Sequence, residues 1–198
     1  MGRPSLAQER TQEILDAFER CISKYGLEGS SLERIAEEAG VKRSILRHYV
    51  GNRDDILEAL AERVVGKYEA GFDGHLECTT HLSPVEQLVS FFFPVKAVST
   101  AESLLVVESL IAASDTSPII QRKMRGYVER LLERVSTLLR EEFPEAPKRQ
   151  CWVVAYGVVS ICFNHESLTP LGFSSKHRRA AKESAISLIG TLRRETQG

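Results

Sequence analysis

Apolar residues recur at helical spacing along nearly the whole chain, and no stretch alternates apolar and polar residues as a half-buried strand would. The clearest case is the set Ile14, Phe18, Cys21, Ile22 and Tyr25, which follows i, i+4, i+7, i+8, i+11 and forms one stripe of an amphipathic helix. That period restricts the chain to all-α architectures. Its 198 residues, 42% of them apolar, suffice to bury a core without disulfides or a structural metal.

Start and stop signals divide the pattern into nine helices. The first runs from Ala7 to Tyr25, with Gly26 in the position of a C-terminal cap. Ser30 and Glu33 read as a capping box for a short helix over Ser31 to Glu38. A turn at Ala39-Gly40-Val41 leads to a second short helix, Lys42 to about Tyr49. Gly51 breaks it, and Asn52 caps a long helix from Arg53 to about Phe72. Residues Asp73 to Leu82 read as a polar loop. Ser83-Pro84, with Glu86 three residues after the serine, opens a helix running to about Ser99, with Pro94 as a kink or an early end. Ala101–Ser114, Ser117 to about Phe143, Pro147 to about Leu168 and Ser174 to about Arg194 complete the set.

Two short helices joined by a glycine-containing turn form a helix-turn-helix candidate. Leu32, Ile35, Ala36, Val41, Ile45, Leu46 and Val50 supply an apolar set that can close on the Phe18–Ile22 stripe. Residues 1–57 hold ten acidic and nine basic side chains, a net charge of −1. Between Lys42 and Arg53, however, stand four basic residues, Lys42, Arg43, Arg47 and Arg53, and no acid. The second short helix is thus a local cationic surface in a neutral region. Arginine suits bidentate contacts to guanine and to phosphate.

The stretch Gly26-Leu-Glu-Gly-Ser-Ser-Leu-Glu-Arg-Ile-Ala-Glu-Glu-Ala-Gly-Val-Lys-Arg-Ser-Ile-Leu-Arg-His-Tyr-Val-Gly-Asn-Arg-Asp-Asp-Ile-Leu57 resembles the TetR family of transcriptional regulators. The shared pattern is a glycine before the second helix, a Ser/Thr pair at its start, an Ile-Ala-x-x-Ala-Gly-Val core, a recognition helix, and a basic residue opening the fourth helix. Two positions depart from it. Arg47 stands where the family usually has an aromatic residue, and Val50 stands where it has Phe.

The resemblance implies an N-terminal three-helix helix-turn-helix domain, residues 1–52. It also implies a connector helix followed by a helical effector-binding and dimerisation domain, residues 53–198. On this pattern Arg43, Ser44 and Ile45 would face base edges of double-stranded operator DNA, and Arg47 and His48 would touch base or phosphate. Lys42 and Arg53 would lie near phosphates, Ser31 and Arg34 would touch the backbone from the second helix, and Arg3 would reach the minor groove. The middle helices would line a pocket for an unknown small-molecule effector. Its candidate residues are Phe92, Leu104, Glu108, Ile111, Met124 and Tyr127, beside Phe91 and Phe93. A homodimer would form through the last two helices. The first of these carries Trp152, Val153, Tyr156 and their apolar neighbours on more than one face. The second carries Ala181, Ala185, Ile186, Leu188, Ile189 and Leu192. The expected function is a ligand-responsive repressor.

Other classes find little support. No nucleophile elbow, phosphate-binding loop, G-x-G-x-x-G or H-E-x-x-H motif occurs, so no enzyme is expected, although His165-Glu166 could do acid–base work. A partner-binding protein that keeps the helix-turn-helix without operator function is the remaining rival. The four cysteines, Cys21, Cys78, Cys151 and Cys162, form no C-x-x-C pair, and His75, Cys78 and His81 lack a second ligand pair. No metal and no cofactor is expected. The longest mostly apolar run, Cys151–Phe163, is 13 residues, short of the roughly 20 that a membrane helix needs. The N-terminus has no apolar leader segment, so the expected location is the cytoplasm, on the nucleoid when DNA is bound.

Overall fold

A computed structural model of the protein describes residues 6–94, 101–173 and 175–194. Among the described residues there are nine α-helices and no strand: α1 (Leu6–Gly29), α2 (Leu32–Glu38), α3 (Arg43–Val50), α4 (Arg53–Cys78), α5 (Pro84–Phe92), α6 (Ala101–Ala113), α7 (Pro118–Glu142), α8 (Lys148–Ser167) and α9 (Ser175–Arg194). A 3-10 turn, Thr169–Leu171, follows α8. None of the described helices is long and apolar enough to cross a membrane. The chain divides into two compact units. One is Met1–Gly66 with Thr100–Arg125, and the other is Lys67–Ser99 with Gly126–Gly198.

The first unit contains α1, α2, α3, the first half of α4, α6 and the start of α7. Ile14, Leu15, Phe18, Cys21 and Ile22 of α1 are buried, as the stripe requires, and so are Ile35, Ala36, Leu46 and Val50 of α2 and α3. Gly40 has φ 66°, which makes the tight α2–α3 turn cheap for a residue without a Cβ. Ion pairs fix the outside of this core. Glu38 of α2 takes Arg20 at 2.8 Å and Lys24 at 2.6 Å, both from α1. Arg63 of α4 pairs with Asp16 and Glu19 of α1. α6 packs along α1, burying Val106 and Leu110.

The second unit is built on Phe72, Leu88, Phe92, Val135, Leu139, Cys151, Val154, Ala155, Val158, Ala185, Ile189 and Leu192. α8 and α9 pack so closely that a Cβ on Gly157 would come within 2.4 Å of Leu188 Cδ2.

Most helix boundaries fall within a residue or two of the sequence expectation; α1, expected to end at Tyr25, runs on to Gly29 past a non-helical Gly26, and three further points differ. The cap of α2 is Ser31 in place of Ser30, its Oγ accepting from Arg34 N at 3.3 Å, so Arg34 and not Glu33 holds the third position. Ser83 and Glu86 do form a full reciprocal box on α5. α4 continues through the expected polar loop to Cys78, because His75 Nε2 lies 3.0 Å from both Gln87 O and Ser90 Oγ of α5 and fastens that last turn. α5 ends at Phe92, before Pro94, and not near Ser99. Ser174 and Ser99 lie outside the described residues.

Candidate nucleic-acid interface

α3 carries the cationic face. Its N-cap is Lys42, and its last turn holds Arg47 and His48, where positive charge favours the helix dipole. Leu46 and Val50 point into the core. The other face is open: Lys42, Arg43, Ser44, Ile45, Arg47 and His48 are all exposed. Ile45 is 45% exposed, which suits it to apolar contact with a thymine methyl group. Five polar or cationic side chains and one aliphatic residue on a helix two turns long can read base edges while holding phosphates.

Not all of the expected cations are free. Arg43 Nη1 lies 2.5 Å from Glu33 Oε1 on α2. Sequence reasoning missed Glu33 in this role, since nothing in the spacing singles it out among the acids of α2. Its carboxyl is held below the ordinary value by its own backbone N–H and the Ser31 hydroxyl, with Arg43 adding to the effect. Ser31 therefore faces the helix start and Glu33 with its hydroxyl. Arg34 donates from Nη1 to Gly29 O at 2.6 Å, and its guanidinium lies 4.9 Å from the Tyr25 ring centroid. Arg53 donates from Nη1 to Ser30 O at 2.5 Å and from Nη2 to Leu27 O at 2.7 Å. Asn52 caps α4 as expected, accepting from Asp54 N at 2.7 Å, while Asp55 accepts from Asn52 N at 2.8 Å. Beside α3, a hollow of about 330 Å³ is lined by Ala7, Gln8, Thr11, Gln12, His48 and Tyr49. Arg3 lies outside the described residues.

The expected effector residues fall in both units. Leu104, Glu108, Ile111 and Met124 belong to the first, and Phe92 and Tyr127 to the second. Met124 and Phe92 are buried, and Ile111 is 52% exposed. Glu108 is half-buried. Burial holds the Tyr127 phenol well above its ordinary value, with Tyr68 adding to the shift.

Residues 14–60, from α1 through the first turns of α4, match the model of the bacterial regulatory proteins, tetR family. Over this stretch the chain is similar to the TetR family. The regulator HbdR of Aromatoleum sp. (strain CIB) is 32% identical over 99 residues, covering 50% of this chain and 42% of HbdR. The chain thus spans less than half the length of that relative. The regulator BetI of Escherichia coli (strain K12 / DH10B) is 24% identical over 164 residues, covering 81% of this chain and 82% of BetI. Both are helix-turn-helix transcriptional regulators. The fold is also that of a Saccharomonospora viridis protein solved in complex with choline, at a TM-score of 0.74 and 17% identity, covering 92% of this chain and 96% of that one. α2 and α3 lie within the matched residues and form the helix-turn-helix of this chain.

Proposed function

We propose that this protein is a TetR-family, ligand-responsive repressor that binds a palindromic operator as a homodimer in the cytoplasm. The observation that carries the reading is the open face of α3, where Arg43, Ser44, Ile45, Arg47 and His48 are exposed together without an acid on the same helix. Arg43, Ser44 and Ile45 take the base edges. Lys42, Arg47 and His48 take the backbone. One such helix buries too little DNA for strong specificity, and a two-fold dimer places a second copy about 34–36 Å away, one turn along the duplex.

The dimer reading is supported by what α8 and α9 leave outside. Trp152, Val153 and Tyr156 of α8 and Ile186 of α9 are each at least 44% exposed, and the Trp152 and Tyr156 rings stack at 5.9 Å. An apolar helix with one face in the protomer core and another uncovered fits a four-helix seam with a second copy. Ala185, Ile189 and Leu192, expected on that seam, are instead spent on the protomer's own core.

For the effector, the candidate contacts are Leu104, Glu108, Ile111 and Met124 within the first unit and, separately, Phe92 and Tyr127 within the second. The choline complex of a protein of this fold makes choline a sensible first probe. The reading is tested by selecting duplexes from random-sequence DNA and measuring the affinity of the best one by anisotropy. A palindrome bound by two chains is the expected result. Failure to enrich any duplex overturns it. If choline is the effector, operator DNA must weaken choline binding by the same factor by which choline weakens operator binding, about 5- to 150-fold.

A further inference from the structure

At Gly26 the backbone leaves the helical conformation, with φ 70° and ψ 171°, and the chain turns through Leu27, Glu28 and Gly29 into α2. Carbonyls at such an end have lost their helical donors and need others. In this protein side chains supply them, beside the backbone N–H groups of Ser30 to Leu27 O and of Ser31 to Gly29 O, each at 3.2 Å. Ser30 Oγ donates to Gly26 O at 2.6 Å, Arg34 Nη1 to Gly29 O at 2.6 Å, and Arg53 to both Leu27 O and Ser30 O. Ser30 is completely buried, and Arg53 is half-buried at the first position of α4.

We infer that Arg53 is a positioning residue for the recognition helix rather than a phosphate ligand. Its planar fork spans two carbonyls that are three residues apart and ties the start of α4 to the α1–α2 turn. α2 leaves from that turn, and α3 ends at Val50 with Gly51 as its cap, two residues before Arg53. The clamp therefore sets where α2 begins and where α3 ends. The family's pattern places a phosphate-binding lysine at this position, and the two roles make opposite demands on the side chain. A phosphate is satisfied by any point charge, so lysine would serve. Two separate carbonyls held at once need a rigid two-pronged donor, so lysine would not.

This inference rests on the DNA-binding reading for its functional consequence, while the clamp itself can be measured without DNA. Arg53→Lys, Arg53→Ala and Ser30→Ala would be compared with the unmodified chain. The thermal midpoint is followed by circular dichroism. Affinity for a duplex selected from random-sequence DNA is measured at three salt concentrations, at a temperature where each variant is fully folded. The expected result is a lowered midpoint for Arg53→Lys. Operator affinity should fall about tenfold at every salt concentration with an unchanged salt slope, since each charged hydrogen bond is worth about a factor of ten or more. Ser30→Ala, which alters no charge, should weaken binding in the same salt-independent way. The clamp is overturned if Arg53→Lys keeps both midpoint and affinity while Arg53→Ala lowers the salt slope by about two, one phosphate per subunit. Unchanged affinity in Ser30→Ala also counts against it. If the unmodified chain selects no duplex, the DNA reading fails, and the midpoint of Arg53→Lys still decides the clamp.

Discussion

Glu33 of α2 holds Arg43 of α3 by an ion pair of 2.5 Å, with both side chains more than half exposed. An exposed pair of this kind is worth about 0–1 kcal/mol, so DNA can displace it at little cost. Glu33 thus keeps the proposed base-reading arm beside the recognition face without locking it.

Arg43→Ala should change sequence preference at one base pair per half-site, costing about 1–3 kcal/mol there. Arg47→Ala should weaken all sequences about equally. Glu33→Gln should leave the thermal midpoint nearly unchanged and strengthen operator binding several-fold, because it removes a carboxylate that competes with the DNA. Competition anisotropy against single-base variants of the operator checks all three. Uniform loss from Arg43→Ala would remove it from the base-reading set.

Substitutions on α8 and α9 should separate association from folding. Ile186→Glu and Tyr156→Glu, on the uncovered face, should give monomers of unchanged helical content that bind operator poorly. Ile189→Glu should unfold the protein, because that residue is 3% exposed in the protomer core and an unpaired buried carboxylate costs roughly 3–5 kcal/mol. Light scattering and circular dichroism read the two outcomes. A dimeric Tyr156→Glu protein would move the seam elsewhere.

The helical period showed the nine helices and the helix-turn-helix, because a buried face imposes its spacing on the residues that fill it. It did not show which side of α9 meets the core. Ile186 and Ile189 are both apolar and three residues apart, and only the packing of α8 separates them. Nor could it show that α4 runs on to Cys78. The residues after Phe72 are mostly polar and include Gly74, and what keeps them helical is the contact of His75 with Gln87 and Ser90 on the neighbouring α5. The fate of Arg34 and Arg53 was illegible for a different reason. A guanidinium binds a carbonyl as readily as a phosphate, and charge alone cannot distinguish the two. Glu33 was hidden because its partner lies ten residues away across a turn.

Acid should weaken the fold. Lys24 and then Arg20 hold the Glu38 carboxyl low, and the Ser83 backbone N–H and hydroxyl do the same for Glu86. Glu33 is held low as well. Because these folded-state values lie below the ordinary value of 4.5, their contribution is complete above it and is lost as pH falls through the folded values. Urea midpoints should therefore hold steady from neutral pH to about pH 5 and fall below it. Glu38→Gln should show a smaller fall.

The thiols should divide by burial. Burial raises Cys21 and Cys151, and pushes Cys162 up to about 12. Cys78 is exposed at the end of α4. A disulfide-exchange reagent at neutral pH should modify Cys78 quickly and the other three only after denaturation, as followed by mass spectrometry. Rapid modification of Cys162 would contradict the packing of α8.

The salt dependence of operator affinity tests the proposed interface most directly. With Arg53 spent on carbonyls and Arg43 on a base edge, Lys42 and Arg47 from two subunits make about four phosphate-neutralising cations. The logarithm of the association constant should then fall against the logarithm of salt concentration with a slope of about −3.5. An affinity that does not change between low and moderate salt would contradict the account.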